Sequence, residues 1–341
     1  MPRISASAAP LPAKVYRRVL RDAVSVAWRH KHLWPFGLLT MLIGFGGVAD
    51  TAIWSYQHAV GFVPTDMAQG GLAAALPWVA TVRLYGWYAE RPALTGTAFV
   101  LSSALLYALA WALATPAIGA LIFSVRKIAR GGEPEFSEGL RAGRAAFGPV
   151  LLVNLLARVA IWTALLITGL YMAILIAHAS PLAMTLYVLS FVVLTAFAMS
   201  ASVVAIFASQ AVVAEKLSGR EALARGINVF GRHWLASLEF SAVLFALTVA
   251  AGFVAVVAFL IAAIPLLFLF IVAATLKSAA GMTAVYALTV AALVAAGALL
   301  IAALSTFQTA AWTLLWQEFS HGGAVAKLLR LAAALRRRIW R

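Results

Sequence analysis

The chain of 341 residues contains no cysteine, which excludes disulfides, thiolate metal sites and cysteine nucleophiles, and leaves the redox compartment unmarked. Charge is scarce as well, with 11% of residues Asp, Glu, Lys or Arg, and only 11 of them acidic. No GxxxxGK[ST], GxGxxG, HExxH or GxSxG string occurs, so nothing points to a phosphate loop, a dinucleotide fold, a zincin centre or a nucleophile elbow. The six histidines, at 30, 32, 58, 178, 233 and 321, include no i, i+3 or i, i+4 pair, the spacing that sets two imidazoles on one helix face. Neither a metal nor a cofactor is expected. The one acidic cluster, Glu133, Glu135 and Glu138, sits among Arg126, Lys127, Arg130, Arg141 and Arg144. It reads as a solvated, ion-paired face, and the chain as no enzyme.

What is present is apolar. Hydrophobic residues make up 64% of the chain and several runs exceed twenty residues, which excludes an ordinary soluble domain and predicts an all-α polytopic transmembrane helix bundle. Six spans are expected, at about 33–49, 97–125, 150–177, 184–213, 237–264 and 282–305, within a membrane domain covering 33–318. Residues 1–13 are small and Pro-containing and predict a disordered tail. The apolar run 235–276 is about twice as long as a hydrocarbon core requires, so a break at Pro265 is expected, with 266–276 folding along the interface or partly re-entering. A kink is expected at Pro116. The long 50–96 connection is rich in Trp and Tyr and reads as a loop anchored at the outer headgroups.

Basic amphipathic segments flank the bundle. In 14–32, Val15, Val19, Leu20, Val24, Ala27 and Trp28 oppose Arg17, Arg18 and Arg21, and in 321–341, Val325, Leu328, Leu329 and Leu335 oppose Lys327, Arg330, Arg336, Arg337 and Arg338. Both predict helices lying on the membrane with those cations at lipid headgroups. The formal charge of +15 could suggest nucleic acid, but the cations lie between apolar runs rather than on one soluble surface, so anionic lipid is the expected partner and nucleic acid is not. Connections alternate in charge, with 22 Lys and Arg on one side and 3 on the other. Both termini are therefore expected in the cytoplasm.

One unit occurs twice. EGLRAGRAAFGPVLLVNL (138–155) and EALARGINVFGRHWLASL (221–238) coincide, at a shift of 83, in Glu138/Glu221, Leu140/Leu223, Gly143/Gly226, Phe147/Phe230, Gly148/Gly231, Leu152/Leu235 and Leu155/Leu238. Residues 14–34 share the build without the matches. Three hairpin units follow, each a basic surface helix feeding a membrane hairpin.

Within the spans, Arg158 is the one full charge placed deep, about 13 Å from the nearer end by helical rise. Such charges face a bundle interior or a cavity. The 83-residue shift sets Glu239 opposite Leu156, about one turn from Arg158, so an Arg158–Glu239 ion pair is expected, with Asn154, Gln210 and Gln308 as polar lining. That pair could be a packing salt bridge or part of a solute site.

The stretch WRHKHLWPFGLLTMLIGFGG (28–47), with the two EGL/EAL...G...FG units, resembles a broad group of uncharacterised bacterial multi-pass proteins. These include the membrane domain fused to some glycerophosphoryl diester phosphodiesterases. The resemblance implies a six-helix module of the bacterial inner membrane, without the phosphodiesterase domain. Glu221-Ala-Leu...Gly226 also looks like the cytoplasmic coupling motif of ATP-driven importer permeases, although its Gly comes one residue early and the Ile-x-Leu-Pro ending is missing.

Two functions remain open. One is a non-catalytic scaffold or accessory subunit packing with membrane partners or a second copy and contacting anionic lipid. The other is a permease subunit for a small solute or lipid. A polar cavity at Arg158 would favour the second; a closed core with a large flat face would favour the first.

Overall fold

The computed structural model describes residues 15–43, 94–177 and 180–320, and every regular element in them is helical. In chain order these are α1 (Val15–Arg29), a 3-10 turn (Lys31–Leu33), α2 (Trp34–Thr40) and a second 3-10 turn (Met41–Ile43). Then come α3 (Leu94–Ala129), α4 (Phe136–Ala145), α5 (Phe147–Ala177), α6 (Pro181–Glu215), α7 (Gly219–Thr275) and α8 (Ala279–Ser320). Five of these, α3 and α5 to α8, are long and apolar enough to cross a membrane. An apolar run that leaves water must satisfy its peptide groups internally, which is why each forms unbroken helix. Only 33–43 of the first expected span lies among the described residues. The 50–92 part of the aromatic loop and the C-terminal basic helix lie outside them.

The long apolar run departs from expectation. Helix α7 passes Pro265 without a break and ends at Thr275, so 266–276 is the last three turns of one helix rather than an interfacial segment. Its end is closed by Lys277, which adopts the left-handed conformation at φ 49°. The Ser278 amide donates to Ala273 O and the Lys277 amide to Ala274 O, both at 3.0 Å, the paired bonds that cap a helix by reversing the chain. Ser278 Oγ then accepts from the Gly281 amide at 3.0 Å, starting α8. Losing the Pro265 amide bond is tolerated here because the apolar side chains around it offer the backbone no polar alternative to helix. Helix α3 likewise passes Pro116.

Packing is concentrated at the end that carries the basic segments. There Phe207 contacts Trp312, Trp316 and Phe319 with ring centroids 5.7 to 5.8 Å apart, and Phe240 meets Trp312 at 5.3 Å. These rings belong to the main buried cluster, with Phe36 of α2 and Leu121 of α3. Beyond Leu244, α7 buries only Ala273, and α8 buries nothing before Ala302. Their outer halves form an apolar hairpin that leaves Phe253, Val254, Leu260, Ile264 and Phe268 exposed.

The twice-occurring unit has a physical explanation in two parts. Each Glu starts a helix: Glu138 closes a capping box with Glu135, and Glu221 one with Ser218, so each carboxylate satisfies an amide that the helix cannot. Each Gly lets that helix cross the span before it. A Cβ on Gly143 would stand 2.0 Å from the Pro116 carbonyl oxygen of α3, and one on Gly226 would stand 2.8 Å from Val204 O of α6. In the second unit surface helix and span run together, interrupted at His233 (φ −126°, ψ 24°).

Helix α1 differs from a free surface helix. Of its expected apolar face Val15, Val19 and Ala27 are buried while Val24 and Trp28 are exposed, Tyr16 packs on Phe240 at 5.7 Å, and Arg18 forms an ion pair with Glu318 of α8. The helix is docked on the bundle. Of the three cations expected at lipid headgroups, Arg18 is engaged by Glu318 and Arg21 lies 3.4 Å from Asp22, while Arg17 is exposed.

Both capping carboxylates are acid-sensitive elements. The Lys127 ammonium, 2.5 Å from Glu138 Oε2, and the Glu135 amide hold Glu138 below the usual carboxylate range. The Ser218 hydroxyl and amide do the same for Glu221. A carboxylate depressed by folding contributes stability above its unfolded pKa of about 4.3 and loses it as pH falls through the lower folded value. Amide hydrogen exchange, corrected for its intrinsic rate, is therefore expected to rise in 136–145 and 219–232 on acidification below about pH 4.3. Glu221→Ala is expected to raise it in 219–232 at neutral pH; unchanged exchange there would remove the cap's role.

Candidate functional site

Four residues singled out in the spans meet in one place. Arg158 and Asn154 of α5, Gln210 of α6 and Gln308 of α8 line a single cavity of about 80 Å³, with Ser209, Ser305, Thr309, Trp111, Trp312, Thr40 and Ile43 among its other walls. It sits where α2, α3, α5, α6 and α8 converge. A space of that size takes several waters or one small solute, well below the few hundred Å³ of a drug-sized pocket.

The polar groups are held in place by one another and by backbone. Asn154 Nδ2 donates to Val150 O at 2.9 Å and to Ser209 Oγ at 3.2 Å, which fixes its amide one turn below Arg158. Gln210 Nε2 donates to Thr313 Oγ1 at 3.0 Å, and Gln308 Nε2 to Thr248 Oγ1 at 2.9 Å. Arg158 donates through Nη2 to the Ile43 carbonyl. Ile43 is the last residue of the second 3-10 turn, Met41–Ile43.

Three buried atoms on the walls have no hydrogen-bond partner among the described residues: Trp111 Nε1, Gln210 Oε1 and Ser305 Oγ. Their residues are 6%, 1% and 3% exposed. A donor, an acceptor and a hydroxyl left unpaired in an apolar bundle each cost about 1–3 kcal/mol. Three such groups and a guanidinium border one cavity whose lining surface is otherwise largely apolar.

No protein-family model, no curated protein and no solved structure matches this chain. The chemistry of the site must carry its interpretation.

The expected Arg158–Glu239 pair is replaced by two separate arrangements. Glu239 Oε2 accepts from the Tyr16 hydroxyl at 3.2 Å, with Ala236 O at 3.3 Å from the same hydroxyl. Glu239 therefore anchors α1 to α7, while Arg158 is held by α2's extension. The helical shift placed their Cα atoms at similar depth, but a side chain's partner is set by its azimuth, and the Tyr16 ring is what α7 presents Glu239 to. Among the described residues no carboxylate lines the Arg158 cavity, and the guanidinium's partner there is the Ile43 carbonyl.

The sequence reading missed Ser209, Ser305, Thr309 and Trp111. Ser209-Gln210 and Ser305-Thr306-Phe307-Gln308-Thr309 were visible as polar strings inside apolar runs. Their convergence was not, because it depends on α6 and α8, distant in sequence, meeting locally through Phe207 on Trp312 and Gln210 on Thr313.

The residues resembling a coupling motif serve the fold. Glu221 is engaged in its capping box and Gly226 is packed against Val204 and Ala208 of α6.

Proposed function

We propose that this chain is a non-catalytic, permease-type integral membrane protein that takes a small anionic solute at Arg158. The observation that carries the reading is the convergence on one small cavity of Arg158 and two unpaired donors, Trp111 Nε1 and Ser305 Oγ, with no carboxylate among the described lining residues. An intramembrane guanidinium costs about 2.5–3.5 kcal/mol on insertion scales unless compensated, and an anion compensates it while pairing with Trp111 Nε1 and Ser305 Oγ. At about 80 Å³ the cavity suits a species the size of formate, nitrate or a halide, and is too small for a lipid.

The test is saturable thermal stabilisation of the full chain in mild detergent by chloride, nitrate or formate at matched ionic strength. A ligand at about 100 times its Kd would contribute about 2.7 kcal/mol. An equal response from Arg158→Leu would refute the site.

The scaffold reading keeps one observation of its own, the exposed outer hairpin of α7 and α8. By helical rise its arms, 245–275 of α7 and 279–301 of α8, span about 46 and 35 Å, enough to cross a hydrocarbon core of about 30 Å, and they offer an apolar flank to lipid, a second copy or another membrane protein.

For orientation, the 22 to 3 charge asymmetry supports an even number of spans, six in our reading, with both termini cytoplasmic. Reporter fusions at 135, 225 and 341 are expected to read cytoplasm, and those at 70, 180 and 278 the opposite side. An external reading at 135 or 225 would overturn that topology.

A further inference from the structure

A second site lies at the basic end and shares no lining residue with the Arg158 cavity. An open basin of about 960 Å³ is walled by the last turns of α3 and α6 and floored by α4 and the start of α5. Five cations border it: Arg126 and Lys127 from α3, Arg130 just after it, Arg141 from α4, and Lys216 just after α6. Among the described residues Glu138 is the one carboxylate on its lining, and that group is engaged by Lys127 at 2.5 Å. Glu215, next in sequence to Lys216, is engaged by Arg225 at 3.3 Å. Among the described residues Arg126, Arg130, Arg141 and Lys216 form no ion pair, although Glu215 is near enough to act on Arg126 and Glu138 on Arg141.

Cations in the last turn of a helix are commonly explained by the helix dipole, and Arg126 and Lys127 satisfy that explanation. It does not extend to Arg141, which stands in the middle of α4. Nor does it explain Arg126 Nε, a buried donor with no partner among the described residues. Lys216 is set at the rim by a left-handed backbone (φ 56°) that few side chains other than Asn or Gly adopt readily. The remaining walls are apolar, with Phe123, Val212, Val213 and Leu217 beside the cations.

We infer that this basin binds a phosphate group, mono- or diester, between Arg126, Arg130, Arg141 and Lys216. Guanidinium forks match phosphate oxygens in pairs, and an ammonium adds a point charge. Basic pockets between helices at the membrane surface are suited to anionic headgroups, and the apolar walls would take the first carbons of an acyl chain. A soluble phosphate would use the same cations without those walls. The inference stands whether or not Arg158 binds an anion.

The test uses the full chain in mild detergent, with dioleoylphosphatidylglycerol, dioleoylphosphatidylcholine and inorganic phosphate as probes, and native mass spectrometry and thermal shift as readouts. The glycerol-headed lipid is expected to be retained at least about tenfold more strongly than the choline lipid. Arg126→Gln with Arg130→Gln is expected to remove that preference by a similar factor, whereas Arg232→Gln, outside the basin, leaves it unchanged. Lys216→Gln, at the exposed rim, provides a milder loss in the same direction should the double variant fail to fold. Displacement of the lipid by inorganic phosphate at comparable concentration would assign the basin to a free phosphate group; resistance to it would assign a lipid headgroup. Equal retention of both lipids, or retention unchanged in the folded variants, would overturn the inference.

Discussion

Gly143→Leu is expected to prevent the chain from folding, and Gly143→Ala to lower its thermal unfolding midpoint more than any other glycine-to-alanine change in the α3–α4 and α6–α7 crossings. The reason is backbone contact. A Cβ at 143 would meet Pro116 O at 2.0 Å, Ala120 N at 2.9 Å and Pro116 C at 3.0 Å, none of which can rotate away. Gly119 faces it, 3.0 Å from the Gly143 Cα by the same measure, so the two helices touch through a pair of glycines as closely as backbones can. Overpacking of this kind costs about 1–3 kcal/mol when side chains can adjust; here a whole helix must move, so the upper end is the floor. Gly226→Ala, at 2.8 Å from Val204 O and 2.9 Å from Ala208 N, is expected to act in the same direction and less strongly. Gly148→Ala and Gly231→Ala are the controls, since nothing lies within 4 Å of either added carbon. Each is expected to be neutral or stabilising by up to about 1 kcal/mol. Equal loss at 143 and 148 would show that helix propensity, and not the crossing, governs these positions.

Arg158→Leu is expected to separate stability from binding. The variant sheds an intramembrane charge worth about 2.5–3.5 kcal/mol in insertion cost, and gives up a charge-assisted bond to Ile43 worth about 1.5–3 kcal/mol. Those contributions nearly cancel, so without added anion the variant should unfold within about 1–2 kcal/mol of the parent protein. Its anion-dependent stabilisation should vanish. Because Glu239 is engaged by Tyr16 rather than Arg158, Arg158→Leu and Glu239→Leu are expected to be additive within about 0.5 kcal/mol. A coupling well beyond that would place the two charges in contact.

The helical membrane character of the chain was legible in its apolar runs, and Arg158, Asn154, Gln210 and Gln308 stood out as polar residues in the wrong solvent. What escaped sequence reasoning has common physical causes. The connection between the last two spans was expected to hold Lys277, but the end of α7 was expected at Pro265 rather than Thr275, where Lys277 reverses the chain in the left-handed conformation; Lys216 does the same after α6. Pro265 read as a break because its lost amide bond was weighed without the lack of any alternative for the neighbouring backbone. The Glu239 partner was misread because depth along a helix follows from counting residues, whereas azimuth follows from packing, and Tyr16 lies 223 positions away. The glycines of the repeat were legible as a pattern. That two of the four serve crossings and two do not needed coordinates.

The account turns on whether an anion occupies the Arg158 cavity. Crystals of the full chain grown with bromide in place of chloride would locate it by anomalous scattering. The expected result is a peak in contact with the Arg158 guanidinium, bordered by Trp111 and Ser305, that disappears in Arg158→Leu. Bromide peaks at the exposed cations with none in that cavity would contradict it.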